Sequence, residues 1–181
     1  RVHSEFSIND GLVNIPELID RLQALKMPAV AITDLANLFG LIKFYSASCK
    51  AGLKPVCGCD MLIEDEAGVQ TRLVLLAKDR QGYLNLTHLI SALYTEAGHH
   101  IDAVLPLSRL RGYCNGLIAL SGAQQSNIGA ALLAEEPDRA RVLLDQWRAL
   151  FPDSFYLELQ RVGKADEEAY MEAALALAHK A

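Results

Sequence analysis

The first residues of the chain combine side chains that could bind a metal ion. His3 stands two residues after Arg1 in the stretch RVHSEFSINDG, which ends in Asp10 and a glycine. A His-x-His pair at a strand end can hold a divalent cation, because neutral imidazoles and carboxylates are ligands that such ions take. Here the first position of the pair is an arginine. The stretch therefore indicates a metal site, a site that has lost its metal, or an ordinary strand end.

Size and composition indicate a globular domain without a strong charge field. The chain has 181 residues, 51% of them hydrophobic, which favours a single domain with a full core over a disordered chain. Its formal net charge is -5, and it has no long run of basic residues. Gripping nucleic acid requires clustered Lys and Arg to neutralise phosphates. The composition therefore argues against a domain that binds nucleic acid by itself, although not against a part of a larger nucleic-acid enzyme.

The cysteines indicate a reducing environment. None of Cys49, Cys57, Cys59 and Cys114 belongs to a Cys-x-x-Cys pair, and residues as close as Cys57 and Cys59 in one strand seldom form a disulfide. We expect the four thiols to be small, buried apolar groups. The sequence also has no signal peptide and no apolar run of membrane-spanning length, so we expect a cytoplasmic protein without a membrane partner.

Apolar periodicity predicts helices that alternate with strands. Helices are predicted over 15–25, 37–52, 82–94, 105–114, 126–134, 137–151 and 166–180. Strands are predicted over 28–33, 53–63, 72–77, 116–122 and 154–160, with a loop over 96–104. The polar residues between the second and third strands predict a hairpin. This alternation is typical of an α/β fold with a largely parallel sheet or a barrel.

Ordered blocks of the sequence resemble a known domain family. The blocks are RVHSEFSINDG, PAVAITDLANLFGLIKFYSA, GLKPVCGCDM, RLVLLAKDRQGYLNLTHLIS, GLIALSG and FPDSFYLELQRVGKADEEAYMEAALALA. Together they resemble the N-terminal PHP (polymerase and histidinol phosphatase) domain of bacterial DNA polymerase III alpha subunits, of the proteobacterial kind. The resemblance implies an α/β fold, a distorted barrel of about seven β/α units. Residues 1–181 are expected to form one partial PHP domain that lacks the final β/α units.

The resemblance also implies which positions correspond to metal ligands in active members of the family. Those members bind metals through His, Asp, Glu and Cys at strand ends, and the ions supply a hydroxide and hold a phosphate. The corresponding positions here are Arg1, His3, Asp10, Asp34, Leu35, Asp60, Arg72 and Ala123. His99 or His100 is a further candidate that the sequence does not align securely.

Several of these positions cannot bind a metal. Arg1 and Arg72 carry guanidinium groups, which stay protonated and have no free lone pair. Leu35 and Ala123 have no donor atom, so only His3 and the three aspartates remain, too few for a two-metal hydrolytic site. The sequence therefore predicts a degenerate, metal-free site without catalytic residues. We further expect Arg1 and Arg72 to occupy the former metal cavity and to pair with Asp10, Asp34 or Asp60.

The function implied by the resemblance belongs to a longer protein. The complete chain would be the catalytic subunit of a replicative DNA polymerase, with magnesium bound at a palm site elsewhere, because this sequence has no Asp-x-Asp. The domain itself would be an inactive structural module that docks a separate proofreading exonuclease. Other replicase subunits would be further partners, and DNA would bind through the rest of the parent chain. Two alternatives stay open: a metal-dependent phosphoesterase or 3′-5′ exonuclease, and a free-standing phosphatase of the wider family.

Overall fold

A computed structural model describes residues 1–8, 10–95 and 103–180 of the chain. Its helices are α1 (Ile15–Ala24), α2 (Leu41–Lys50), α3 (Arg80–Thr95), α4 (Leu107–Leu110), α5 (Asn127–Leu133), α6 (Pro137–Leu150) and α7 (Glu167–His179). Its strands are β1 (Ala29–Leu35), β2 (Lys54–Glu64), β3 (Gln70–Ala77), β4 (Val104–Pro106), β5 (Leu117–Leu120) and β6 (Phe155–Tyr156). Within the described ranges, no helix combines the length and the apolar character needed to cross a membrane.

The strands form one mixed sheet in the order β1-β2-β3-β5-β6, and β4 pairs with the far end of β2. The predicted α/β class and the β2–β3 hairpin are confirmed. The expected largely parallel sheet is only partly present, because the hairpin reverses β3 and makes it antiparallel to both β2 and β5. The β1–β2, β2–β4 and β5–β6 pairs are parallel. Over the residues that the structure describes, the sheet is not closed into a complete barrel.

Three predicted elements differ from the observed ones. Helix α2 begins at Leu41 rather than at residue 37, because the Asn37 side chain donates to the carbonyls of Phe6 and Leu35 and accepts from the Phe39 N–H. A side chain bonded to the local backbone in this way favours a turn over a helix. The predicted helix over 105–114 is reduced to α4, and the preceding residues form β4. The predicted strand over 154–160 is regular only in β6.

Helix α1 shows how local signals and packing agree. The Asn14 side chain accepts a hydrogen bond from the Glu17 N–H, and a proline occupies the first turn, so the helix begins where the sequence predicts. Ile15 and Ile19 are buried and pack in a small apolar cluster with Phe44 of α2. This cluster fixes both helices beside the N-terminal segment, which carries His3.

The larger apolar cluster fills the space between the sheet and the later helices. It joins buried residues of β2, β3 and β5 to residues of α3, α5, α6 and α7, including Met61, Leu75, Leu86, Leu144 and Tyr170. Side chains of a central strand alternate between the two faces of the sheet. Met61 points into this cluster, so its neighbour Asp60 points to the other face. Packing of the apolar residues thus determines where the Asp60 carboxylate lies.

The thiols are free, as expected, but they are not uniformly buried. Cys59 is buried, Cys57 and Cys114 are half-buried, and Cys49 on α2 is exposed, which corrects the expectation that all four are core residues. Cys49 follows the buried Ser48 on α2, so it belongs to the outer face of that helix. Burial raises the pKa of the Cys57 and Cys114 thiols to about 11, which keeps both protonated at neutral pH.

Candidate functional site

Asp60 on β2 is the centre of a buried charge cluster. Its side chain is fully buried, and one oxygen, Oδ2, lies 3.0 Å from Nη1 of Arg1 and 3.1 Å from Nε2 of His3. Nη1 of Arg72 lies 3.1 Å from the same oxygen. Arg72 reaches Asp60 diagonally across the hairpin, because Asp60 faces Val74 and Leu62 faces Arg72 in the β2–β3 register. Three basic groups from two separate segments of the chain therefore meet at one carboxylate oxygen.

Arg1 also connects β2 to the segment that follows β6. The N-terminal segment lies along β1, where Val2 and Thr33 exchange hydrogen bonds. From there, Nε of Arg1 donates to Glu158 at 3.1 Å, just after β6, and Nη1 contacts the side chain of Gln125 at 3.2 Å. One guanidinium thus joins β2 in the middle of the sheet to the segment beyond its last strand.

The Glu158 backbone is itself fixed by two side chains. Its N–H donates to the hydroxyl of Ser121 at 3.0 Å, and its carbonyl accepts from the hydroxyl of Tyr170 on α7 at 2.8 Å. Because the backbone of Glu158 is already fixed, only the rotamer freedom of its side chain is lost when it binds an arginine. The Arg1–Glu158 contact is therefore a well-positioned ion pair between buried or nearly buried side chains.

The charges in the cluster shift one another's pKa values. Burial by itself would raise the pKa of Asp60, but the hydrogen bond from His3 and the charges of Arg1 and Arg72 lower it below the usual range. The hydrogen bond to Asp60 raises the pKa of His3 against the opposing effect of burial. Burial likewise opposes the charge on Arg1, yet Asp60 and Glu158 together raise its pKa further. The cluster thus favours an ionised Asp60 beside cations.

The hydrogen bonding of the cluster is uneven. Oδ1 of Asp60 has no hydrogen-bond partner among the described residues. Nη1 of Arg72 is within ion-pair distance of Oδ2, but its N–H is not directed along a hydrogen bond. We therefore treat the Arg72–Asp60 contact as electrostatic attraction without a directed bond. A buried carboxylate held mainly through one oxygen depends on the charges around it.

These residues do not fit a divalent metal ion. Cationic groups lie at hydrogen-bond distance from Oδ2, where a metal ion would have to approach, and two of them are permanently protonated guanidinium groups. Over 1–8, 10–95 and 103–180, no three His, Cys, Asp or Glu side chains come together as a group that could hold an ion.

Asp34 at the end of β1 is held by neutral groups instead. Its carboxylate, only 2% exposed, accepts from the Ser4 N–H at 2.6 Å and from the hydroxyls of Ser4 and Ser7 at 2.8 Å. The Ser7 hydroxyl in turn accepts from the Leu35 N–H at 3.0 Å. Asp34 therefore fastens the N-terminal segment to β1 and pairs with neither arginine.

The remaining predicted positions lie around this core. Asp10, which is largely exposed, contacts the second ring nitrogen of His3 at 3.1 Å and so supports the His3–Asp60 contact. Leu35 is half-buried and lies directly opposite Asp60 in the parallel β1–β2 register. Ala123 is buried after a glycine whose Cβ, if present, would collide with the Arg72 carbonyl, so the chain passes close to β3 there. His99 and His100 lie outside the described residues.

The structure agrees with the predicted pairing of Arg1 and Arg72 with an aspartate and identifies Asp60 as their partner. The roles of Glu158, Gln125, Ser4 and Ser7 were not predicted from the sequence. Glu158 carried one usable signal, since it is an acidic residue in a segment with strand-like alternation. Nothing in the sequence indicates that Gln125 would meet Arg1, because their contact joins residues far apart in the chain.

Comparison with known proteins agrees with the sequence resemblance. The PHP domain family model matches residues 1–162. The chain is 42% identical to the DNA polymerase III subunit alpha of Pseudomonas aeruginosa over 99% of its own length, and 41% identical to that of Escherichia coli K12 over 98%. In each case it spans only 16% of the relative.

The fold is also shared with a solved structure of low sequence identity. An amidohydrolase from Chromobacterium violaceum, solved with bound sulfate and no metal, superposes with a TM-score of 0.61 at 15% identity. The alignment covers 99% of this chain and 82% of the amidohydrolase. At this identity the likeness concerns the fold alone. The family is shown instead by the match of the PHP domain model to residues 1–162: this chain belongs to the PHP domain family.

Proposed function

We propose that the chain is part of the alpha subunit of a bacterial DNA polymerase III and that its PHP domain is a metal-free, non-catalytic module. The relatives named above support this assignment, since each aligns with nearly the whole chain. The parent protein adds deoxynucleotides to a primer in the cytoplasm, using magnesium at carboxylates outside this chain. DNA contacts other parts of the parent, and the other replicase subunits are further partners of the complete protein.

The non-catalytic role is supported above all by the two arginines that surround the Asp60 carboxylate. Arg1 and Arg72 place positive charge where an active member of the family would use metal ions, and the charges balance without any metal. Such a cluster holds β2, β3 and the segment after β6 together. Removal of one partner from a buried cluster of charges is costly even where the cluster adds little net stability.

Metal analysis of the complete polypeptide tests this proposal. After exposure to Zn²⁺ and Mn²⁺ and removal of the excess, we expect no stoichiometric metal in the unaltered protein. The matched variant carries Arg1→His, Leu35→His, Arg72→His and Ala123→Cys, which reintroduces the residue types of a ligand set. Stoichiometric metal in the unaltered protein, or hydrolysis of a phosphate ester or single-stranded DNA that a chelator abolishes, would favour a metal-dependent phosphoesterase or 3′-5′ exonuclease instead.

The domain also docks the proofreading exonuclease of the polymerase, as a surface rather than as a catalyst. Titration of the purified exonuclease against the complete polypeptide should give saturable binding at micromolar concentration or below. Deletion of the PHP domain from the parent would remove a whole folded unit and is therefore unsuitable as a control. The control is instead a point variant on an outer helix, Val142→Glu on α6, which should bind the exonuclease normally. Absence of binding to the unaltered polypeptide would contradict the docking role.

A further inference from the structure

A groove between α2 and α3 lies at the end of the sheet opposite the charge cluster. Its volume is about 810 Å³, and its floor is formed where β2 and β5 begin, by Val56 and Ile118. Ile42 and Tyr45 of α2 form one wall, and Tyr83 of α3 forms the other. We call this surface the α2–α3 groove. It shares no residue with the cluster around Asp60.

The apolar side chains of the groove are exposed. Ile42 is 76% exposed, Tyr45 is 56% exposed and Tyr83 is 38% exposed. Single exposed apolar residues are ordinary on protein surfaces, but several that converge on one concave surface indicate a binding site. Tyrosine in particular offers a large apolar ring together with a hydroxyl that can bond at the edge of an interface. The groove therefore suits an apolar stripe on a partner.

The rim of the groove is positively charged. Lys54, Lys78 and Arg80 are all exposed, and none of them has an ion-pair partner among the residues that the structure describes. Asp79 offsets one charge, although its Oδ1 already accepts the Gly82 N–H at the start of α3. This local excess of positive charge stands out because the whole chain carries a net charge of -5. Charge complementarity therefore selects an acidic partner.

We propose that the α2–α3 groove binds an acidic amphipathic helix of a partner protein. Apolar residues at positions i, i+3, i+4 and i+7 of that helix lie on Val56, Ile118 and the walls, and its Asp and Glu side chains face the basic rim. A nucleic-acid strand fits less well, because the groove offers few cations and an apolar floor. Only the identification of the partner as the exonuclease rests on the docking role proposed above.

A pair of designed peptides tests the chemistry of the groove. Both form the same helix with a leucine stripe, and one carries glutamates beside the stripe while the other carries lysines. Fluorescence anisotropy with the complete polypeptide should show binding of the acidic peptide and little binding of the basic one. Lys54→Glu combined with Arg80→Glu should weaken the affinity for the acidic peptide by roughly tenfold, since two exposed charge pairs become repulsive.

The control is Lys26→Glu combined with Lys164→Glu, which changes the net charge equally at exposed positions outside the groove. It should leave the affinity for the acidic peptide unchanged. Equal binding of the two peptides, or equal weakening by both double variants, would overturn the proposal. So would an acidic peptide that fails to bind at all.

A photo-crosslinker at Ile42 then identifies the natural occupant. With purified exonuclease, we expect a crosslink to an acidic amphipathic segment of that protein, and none from a crosslinker at Val142 of α6. If the peptides behave as expected and the exonuclease does not bind, the binding chemistry proposed for the groove is supported and the docking role is wrong. If the exonuclease binds with undiminished affinity to the Lys54→Glu, Arg80→Glu variant, or if Ile42 crosslinks within its own polypeptide, the groove is not its docking site.

Discussion

Asp34 and Asp60 lie one strand apart, on β1 and β2, and both are buried, yet different kinds of groups hold them. Asp34 accepts hydrogen bonds from a backbone N–H and two serine hydroxyls, all within residues 4–7. Asp60 is surrounded by Arg1, His3 and Arg72, which approach from two separate segments of the chain. The first carboxylate is held by neutral hydrogen-bond donors and the second mainly by basic groups.

The difference shows two physical ways to keep a carboxylate inside a protein. Neutral donors satisfy the lone pairs of Asp34 without bringing further charge into the interior. At Asp60 the cations also have to be desolvated, so each of them destabilises the fold if its partner is removed. We therefore expect variants at the two aspartates to differ in magnitude and in their response to pH.

The largest expected effect follows from Asp60→Ala. It leaves Arg72 without its counterion and leaves Arg1 paired, among the described residues, with Glu158 alone. We therefore expect the free energy of unfolding to fall by about 3–5 kcal/mol. Urea unfolding followed by circular dichroism measures this. Asp145→Ala, at an exposed position on α6, is the matched control and should change stability by less than about 0.5 kcal/mol. A loss at Asp60 as small as the control would show that the cluster carries no structural role.

A smaller loss is expected for Asp34→Ala. This change leaves the Ser4 and Ser7 donors unsatisfied but introduces no unpaired charge, so we expect a loss of about 2–3 kcal/mol. Asp34→Asn retains one acceptor oxygen and should cost less than Asp34→Ala in the same urea experiment. If Asp34→Ala destabilised the protein more than Asp60→Ala, the distinction between charge and neutral hydrogen bonding would be wrong.

The pairing of Arg72 with Asp60 is tested by a double-mutant cycle. Since both single changes break the same contact, Arg72→Ala with Asp60→Ala should cost about 1–2 kcal/mol less than the sum of the two single losses. Equilibrium unfolding of the four proteins gives the interaction energy. A cycle of Arg72→Ala with Asp34→Ala is the control and should be closer to additive, because those residues do not pair. Additive effects for Arg72 and Asp60 would contradict their coupling.

The smallest expected effect is the pH dependence that His3 introduces. Because its pKa is raised in the folded protein, His3 stabilises the fold fully below its ordinary pKa of 6.5. That contribution is lost as the pH rises through the raised value. The His3→Gln variant should lack this alkaline decline, measured as the difference in unfolding free energy between pH 6 and pH 9. Identical profiles for the two proteins would contradict the His3–Asp60 contact.

Asp60 is expected to act in the opposite pH range. Its pKa is lowered on folding, so its contribution is present above the ordinary value of 3.8 and is lost as the pH falls through the lower folded value. Acid unfolding of the His3→Gln variant should therefore still show the step that belongs to Asp60. Absence of that step in Asp60→Ala assigns it to this carboxylate.

Much of the local structure follows from the sequence because short-range signals decide it. The cap and apolar spacing of α1 and the polar turn between β2 and β3 act within a few residues, and both elements are present as predicted. The start of α2 and the short strand β4 were not predicted. Asn37 bonds back to Phe6, and β4 depends on pairing with β2, so both result from contacts between distant segments.

The sequence by itself determined the α/β class, the family, and the presence of arginines and aliphatic residues where the resemblance implies metal ligands. It also predicted that Arg1 and Arg72 would pair with an aspartate, because permanent cations replace metal charge. Only the tertiary structure decided that both meet Oδ2 of Asp60, that Asp34 bonds serines instead, and that Glu158 completes the cluster. The physical reason is the distance along the chain over which each effect acts. Residue types determine which charges exist, whereas strand register and contacts between distant segments determine which of them meet.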